Sequence, residues 1–141
     1  MKSSFFFTAL LTFLFISCNQ LSEEEQKFDA LMENVISIHD EVMPKMGEIS
    51  SLIKDLEPKI DTTQTGKSYA KAQQDLKDSY DFMMTWMSDF SEKFPHDEGE
   101  METKDISSQI KLLKEEEVEV RELRDQINSS IDNAKRLLEK S

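Results

Sequence analysis

Apolar residues recur at alternating steps of three and four along the first part of the chain, a spacing typical of an amphipathic helix. Ser22 followed by three glutamates indicates a helix N-cap, and Glu25 has the spacing of a capping box. Near Pro44 the spacing of apolar residues contains one extra step of four. Pro44 has no N–H to donate to the carbonyl of Asp40, so the sequence predicts a kink at this point. The first helix is therefore predicted over about 22–57. The stripe consists of Phe28, Leu31, Val35, Ile38, Val42, Met46, Ile49, Ile53 and Leu56.

Two further stripes with the same spacing predict helices over about 66–94 and 103–140. Short connections make neighbouring helices antiparallel, which predicts an all-α fold, an up-down-up three-helix bundle or elongated coiled coil. A long helical hairpin that dimerises is the alternative. The second stripe consists of Tyr69, Gln73, Leu76, Tyr80, Met83, Met87, Phe90 and Phe94. The third consists of Ile106, Ile110, Leu113, Glu117, Val120, Arg124, Ile127, Ile131, Ala134 and Leu138.

Composition agrees with a few long helices, since the 141 residues include only 3 Gly and 3 Pro. The formal net charge of -12 repels a nucleic-acid backbone, so we expect no DNA or RNA partner. A single Cys excludes an internal disulfide, and 2 His with 1 Cys cannot form a zinc site of the usual Cys/His type. The sequence offers no Ser/His/Asp constellation, and no thiol nucleophile remains once Cys18 is lipidated, so we expect no enzyme.

The N-terminus has the proportions of a signal peptide. A weakly basic start precedes an apolar run over residues 5–16, which is too short to span a bilayer comfortably. Leu14–Cys18 resembles the lipobox of bacterial lipoproteins, in which a small residue precedes a Cys that becomes lipidated. That resemblance implies a cleaved signal peptide over 1–17, a lipidated tether over 18–21 and one helical domain over 22–141. An ordinary secretory signal with an unrelated Cys is the alternative.

Lipid on Cys18 implies a membrane partner and a place in the bacterial cell envelope. Several acyl chains anchor a protein stably without a transmembrane helix. Asn19 differs from the Asp that commonly retains lipoproteins in the inner membrane, which favours the outer membrane. The acidic cluster after Ser22 is similar to signals that route lipoproteins to the cell surface, although an acidic first helical turn explains it equally well. We therefore expect an outer-membrane lipoprotein on the periplasmic face or the cell surface.

Methionine is the unusual component, with 8 residues including Met1. Thioether and imidazole ligands suit Cu(I), and thioethers survive oxidising conditions. Two short segments contain a His, five Met and a Trp at helical spacing. They predict a metal site at His39, Met43, Met46, Met83, Met84 and Met87, supported by Trp86, Tyr80 and Glu117. The set is similar in residue types to periplasmic copper-resistance proteins that use a His, two Met and a nearby Trp in another fold.

Helix register brings these segments to one level. With a turn near residue 62, His39 lies opposite Met84, and with a second turn near residue 98, Tyr80 faces Glu117. The alternative interpretation is core packing, because Met is a flexible core filler. The protein is then a structural or protein-interaction module of the envelope, with a basic partner for its acidic faces. Calcium binding to the acidic patches is a further alternative, but the sequence contains no calcium-binding loop motif.

Two motifs also resemble a group of bacterial proteins. His-Asp-Glu-x-Met-x-Lys-Met spans His39 to Met46, and Met-Met-x-Trp-Met spans Met83 to Met87. The pattern resembles small bacterial helical lipoproteins loosely labelled viral A-type inclusion proteins. That resemblance implies a helical fold and an envelope location, and it implies no activity.

Overall fold

The computed structural model describes residues 22–95 and 105–139, and in this part of the chain the fold is an all-α helical bundle without strands, as predicted. One short 3-10 turn interrupts the path of the first predicted helix, and a second one follows its end. The predicted signal peptide and Cys18 lie outside the described residues. The helices are α1 (Glu23–Val42), α2 (Met46–Leu56), α3 (Gln64–Lys93) and α4 (Ile106–Glu139), and the 3-10 turns are Met43–Lys45 and Glu57–Lys59.

The predicted N-cap of α1 is confirmed. The Ser22 hydroxyl accepts a hydrogen bond from the Glu25 amide at 3.2 Å, and the Glu25 carboxylate accepts one from the Ser22 amide at 2.6 Å. These two bonds satisfy amides that lack partners within the helix. Hydrogen bonds from the Ser22 amide, which is the larger cause, and from the Ser22 side chain lower the pKa of the Glu25 carboxyl, because they favour its charged form.

The helix is interrupted at Pro44, the position at which the sequence predicts a kink. A 3-10 turn over Met43–Lys45 separates α1 from α2, with Val42 at φ -107° before it. Pro44 cannot donate to the preceding turn, so the regular α-helical ladder stops and restarts at Met46. The path then ends at Leu56 and a second 3-10 turn that contains Pro58, in agreement with the predicted end near residue 57.

The start of α3 is built by Asp61 and Thr63. The Thr63 hydroxyl accepts from the Gly66 amide at 3.0 Å, while a carboxylate oxygen of Asp61 accepts from the Thr63 amide at 2.9 Å. The hydrogen bonds from Thr63 lower the pKa of Asp61. This cap places the helix start at Gln64, two residues before the predicted start.

The cap leaves no room for a side chain at Gly66, whereas Gly47 has room for one. A Cβ on Gly66 would lie 2.5 Å from the backbone nitrogen of Asp61, but a Cβ on Gly47 would meet nothing within 4 Å. We expect Gly66→Ala to lower the free energy of unfolding by about 1–3 kcal/mol through overpacking. Gly47→Ala serves as the control and should raise it by up to about 1 kcal/mol, because Ala favours helix over Gly. Urea denaturation measures both, and equal effects would contradict the contact with Asp61.

Hydrogen bonds between helices define how they pair. The hydrogen-bonded pairs between the α1–α2 path and α4 are Asn34–Glu117 and Lys45–Asn128. Residue numbers increase in the same direction on both elements, as in parallel helices. Between α3 and α4, residue numbers fall on one helix as they rise on the other, as in antiparallel helices. The α3–α4 pairs are Ser79–Ser130 at 3.0 Å and Lys93–Glu116 at 2.7 Å.

The core follows the predicted stripes at most positions but differs at six of them. At each of these six positions the predicted residue is partly buried or exposed, and the residue directly before it in sequence is buried. The residues that the stripes predicted are Ile53, Gln73, Tyr80, Met87, Glu117 and Arg124. The buried residues are Leu52, Ala72, Ser79, Trp86, Glu116 and Leu123. Small residues explain two of these differences, because Ala72 and Ser79 allow helices to approach closely although they contribute little hydrophobic signal.

All of the described helices and the contacts between them lie within residues 22–139. A chain of residues 19–141 therefore contains the whole described bundle without the apolar N-terminal run, and it is the chain used in the experiments below.

Candidate metal centre

His39 is held in a fixed orientation on the last turn of α1. Its Nδ1 lies 2.9 Å from a carboxylate oxygen of Asp40, and its side chain is 17% exposed. The imidazole ring stacks on Trp86 of α3, with ring centroids 5.7 Å apart and planes at 27°. A carboxylate can only accept a hydrogen bond, so in the neutral imidazole this contact assigns the proton to Nδ1 and leaves a lone pair on Nε2.

The lone pair on Nε2 is the unusual feature of the site. Nε2 is buried and has no hydrogen-bond partner among the described residues, and the same holds for Nε1 of Trp86. Buried polar atoms are almost always paired, so two such atoms on one pair of stacked rings need an explanation. Metal-binding His residues commonly donate the second ring N–H to a carboxylate, which is the arrangement that His39 and Asp40 show.

Trp86 occupies a more central place than its predicted supporting role. It is 2% exposed and stacks on Phe90 at a centroid distance of 4.9 Å. Phe94 and Phe28 extend the row of rings, with the Phe90–Phe94 centroids 5.0 Å apart. The indole ring thus lies between the aromatic core and the imidazole of His39.

The predicted methionines divide between the interior and the surface. Met46 and Met83 are buried, Met87 is partly buried against the core, and Met43 and Met84 are each 36% exposed. Successive residues on a helix point about 100° apart, so Met83 and Met84 cannot face the same point. The six predicted side chains therefore do not all converge on one point, and a His with two or three Met is the ligand set that suits one Cu(I) ion.

Helix level decides which methionines remain candidates. Met43 lies one turn after His39, and Met83 and Met87 lie within one turn of Trp86. Met46 lies two turns from His39 and beyond the 3-10 turn, roughly 10 Å along the helix path. By helix level Met46 is thus the one predicted ligand that lies apart, whereas Met43, Met83, Met84 and Met87 lie within one turn of His39 or Trp86.

Tyr80 and Glu117, the predicted supporting residues, lie away from the level of His39 and Trp86. Tyr80 is 37% exposed and precedes Trp86 by six residues, about 9 Å along α3. Glu117 accepts hydrogen bonds from Asn34 and Arg121, both at 2.7 Å. Asn34 precedes His39 by five residues on α1, so Glu117 lies more than one helical turn from the level of His39.

The physical reason is the stagger of α3 against α4. Lys93 ends α3, and its Nζ donates to Glu116 at 2.7 Å, so the first ten residues of α4 precede the point where the two helices pair. The predicted turn near residue 98 implied no such stagger. It therefore placed Glu117 opposite Tyr80, whereas the residue opposite Ser79 is Ser130. The level of His39 on α4 is that of the buried Leu123.

The wider structure adds two facts about ligands. Across residues 22–95 and 105–139, no three His, Cys, Asp or Glu side chains come together to hold a metal ion. A cavity of about 860 Å³ between α3 and α4 is lined by Asp75, Asp125 and Asp132 among others, but its buried hydroxyl, Ser130, already pairs with Ser79. A site at His39 would thus depend on sulfur ligands.

No protein-family model matches the chain, and no curated protein or solved structure matches it either. Among the described residues, none of the helices is both long enough and apolar enough to cross a membrane. The geometry around His39 is thus the ground on which a function is assigned.

Proposed function

We propose that the protein is a non-catalytic, lipid-anchored protein of the bacterial envelope that binds a soft metal ion, Cu(I), at His39. The observation that carries the proposal is the buried Nε2 of His39, which has no hydrogen-bond partner within residues 22–95 and 105–139 and whose ring is oriented by Asp40 through Nδ1. An imidazole with one nitrogen bonded to a carboxylate and the other nitrogen unpaired is prepared to bind a metal ion.

The neighbouring residues supply the chemistry that Cu(I) prefers. Thioether sulfur is a soft ligand, and Met43, Met83 and Met87 lie within one turn of the His39–Trp86 level. The face of the Trp86 indole also attracts a cation, and its burial excludes competing water. Cu(I) bound there would be held by imidazole and thioether ligands under the indole ring.

The location is part of the same proposal. Lipid on Cys18 anchors the chain, and the outer membrane, on its periplasmic face or at the cell surface, is the proposed address. The support is the apolar run before Cys18 and the lipobox-like Leu14–Cys18. An extracytoplasmic location agrees with a site built on thioethers, which resist oxidation better than thiols.

The test is an anaerobic titration of residues 19–141 with Cu(I) against a competing chelator, followed by the fluorescence of Trp86, the only Trp in the chain. We expect one Cu(I) per chain. His39→Ala should weaken binding at least a hundredfold, and Asp40→Ala should weaken it about 10- to 100-fold, as loss of an outer-shell partner does. Met43→Leu should also weaken it, whereas Met46→Leu is the matched control and should not.

Two results would reject the metal site. One is a failure to compete with the chelator while circular dichroism shows an intact helical fold. The other is equal affinity in the native chain and in His39→Ala. The second candidate function, a structural module of the envelope, would then stand, and it is favoured by the burial of Met46 and Met83 in the hydrophobic core.

A further inference from the structure

One surface of the bundle is less closely packed than the others. Both α1 and α3 pack along α4, but they approach each other less closely. They meet mainly through large rings, where His39 stacks on Trp86 at 5.7 Å and Phe28 lies 6.4 Å from Phe94. The boundary between α1 and α3 is therefore bridged by side chains rather than by close backbone contact.

Four exposed apolar side chains lie along this boundary, and we call them the α1–α3 seam: Ile36, Met43, Tyr80 and Met84. Each is 36–38% exposed. Ile36 and Met43 lie two turns apart on one face of α1, and Tyr80 and Met84 lie one turn apart on α3. Met43 shares its face with His39, which touches α3.

The position of Tyr80 is fixed by a second contact. Gln73, two turns before Tyr80, donates to the carbonyl of Ile53 at 3.0 Å, so this face of α3 is directed at α2. A groove of about 440 Å³ continues from Tyr80 between α2 and α3, with Ile53 and Ser50 in its wall. From Ile36 to Ile53 the seam and this groove extend over roughly 26 Å of helix.

The charges beside the seam are mostly acidic. Glu33 and Asp40 lie one turn from Ile36 on α1, and Asp81 lies one turn from Met84 on α3; all three are exposed. The basic neighbours are Lys77, which already donates to Gln73 at 2.9 Å, and Lys54, which lines the groove between α2 and α3. The whole chain has a formal net charge of -12. An apolar strip with an acidic border complements a ligand that is apolar on one side and basic on the other.

We infer that the α1–α3 seam is a docking surface for a basic amphipathic helix of a partner protein. Apolar side chains of that helix cover Ile36, Met43, Tyr80 and Met84, and its Lys or Arg residues meet Glu33, Asp40 and Asp81. Adaptable methionine side chains suit such a surface. The acidic border repels an anionic lipid surface and a second copy of this acidic chain. The inference goes beyond metal binding and does not require it.

The probe for this surface is a fluorescent helical peptide of about 18 residues, a length of roughly 27 Å, made of Leu and Lys with all Leu on one face. Binding to residues 19–141 is measured by fluorescence anisotropy with a copper chelator present, so that its result is independent of the metal site. We expect binding that weakens as salt is added. A scrambled peptide without an apolar face, and a Leu/Glu peptide, should not bind.

Variants locate the surface. Ile36→Asn with Tyr80→Asn should weaken binding about tenfold or more, because two apolar contacts are lost. Val118→Asn is the matched control, since Val118 is 58% exposed on α4, and it should change binding less than twofold. Glu33→Gln with Asp81→Asn should reduce the salt dependence. All of these positions are exposed, and circular dichroism confirms that each variant is folded.

Three results would overturn the inference. One is equal binding of the Leu/Lys peptide by the native chain and by the Ile36/Tyr80 variant. Another is binding to vesicles of anionic phospholipid that the same variant abolishes, since this would assign the seam to membrane. The third is sedimentation as a dimer that the variant converts to a monomer, since the seam would then be occupied by a second copy.

Discussion

Trp86→Ala is expected to lower the free energy of unfolding by about 3–5 kcal/mol, the usual cost of removing a large aromatic side chain from a core. Trp86 is 2% exposed and stacks between Phe90, at 4.9 Å, and His39, at 5.7 Å. Its removal leaves a cavity that these rings cannot fill without moving. For a domain of this size we expect the melting temperature to fall by roughly 10–20 °C. Far-UV circular dichroism is the measurement, because the variant has no Trp to report on.

Trp86→Phe separates the ring from its N–H. Nε1 of Trp86 is buried without a partner among the described residues, and a buried unsatisfied donor costs about 1–3 kcal/mol. Phe keeps a stacked ring and removes that donor. The stability gained by removing an unsatisfied donor offsets much of the stability lost because the Phe ring is smaller. We expect a loss of less than about 1.5 kcal/mol. Met84→Ala, at a neighbouring position that is 36% exposed, is the surface control and should change stability by less than about 1 kcal/mol. If Trp86→Phe were as costly as Trp86→Ala, Nε1 would have to donate a hydrogen bond in solution.

The helix ends were predictable because each is determined by a few adjacent residues. The capping box of Ser22 and Glu25 and the interruption at Pro44 depend on local hydrogen bonds that the sequence itself specifies. The start of α3 lies two residues before the predicted one, because Thr63 caps the helix with help from Asp61 and this contact is not visible in hydrophobic spacing.

The faces of the helices were harder to predict. A stripe of alternating three- and four-residue steps selects the most apolar side chains, but packing selects whatever fits between helices. Ser79 and Ser130 are buried because their small side chains and mutual hydrogen bond allow α3 and α4 to approach. Glu116 is buried because Lys93 reaches it from the end of α3. These contacts join residues that are far apart in sequence, so spacing alone cannot reveal them.

The candidate site was predictable where it depends on residues that are close in sequence or joined by a short connection. The bond between His39 and Asp40 joins adjacent residues, and the opposition of His39 to the Met84–Trp86 part of α3 follows from a short connection between helices. The longer connection before α4 allowed a stagger that the sequence did not specify. Glu117 was therefore placed at the wrong level, and it pairs with Asn34 instead.

Removing the partner of the buried Glu116 is the second large effect that we expect. Glu116 is 1% exposed, its Oε1 accepts from Nζ of Lys93 at 2.7 Å, and its Oε2 is buried without a partner among the described residues. Lys93→Met leaves this carboxylate uncompensated, and we expect a loss of about 2–4 kcal/mol at neutral pH, somewhat below the usual cost because the Lys93 side chain is 38% exposed. Glu116→Leu should cost less, because the ammonium group can still reach water.

The double variant and the pH dependence complete the test. Lys93→Met combined with Glu116→Leu should recover most of the lost stability, since an apolar pair often replaces a buried ion pair without cost. The hydrogen bond to Glu116 raises the pKa of Lys93, with Glu119 and Asp89 adding to the effect. A raised pKa in the folded state means that the pair stabilises fully at neutral pH and loses its effect as the pH rises through that pKa. Native chain and Lys93→Met should therefore converge in urea denaturation at strongly alkaline pH. A larger loss in Glu116→Leu than in Lys93→Met would show instead that Glu116 has a second partner in solution.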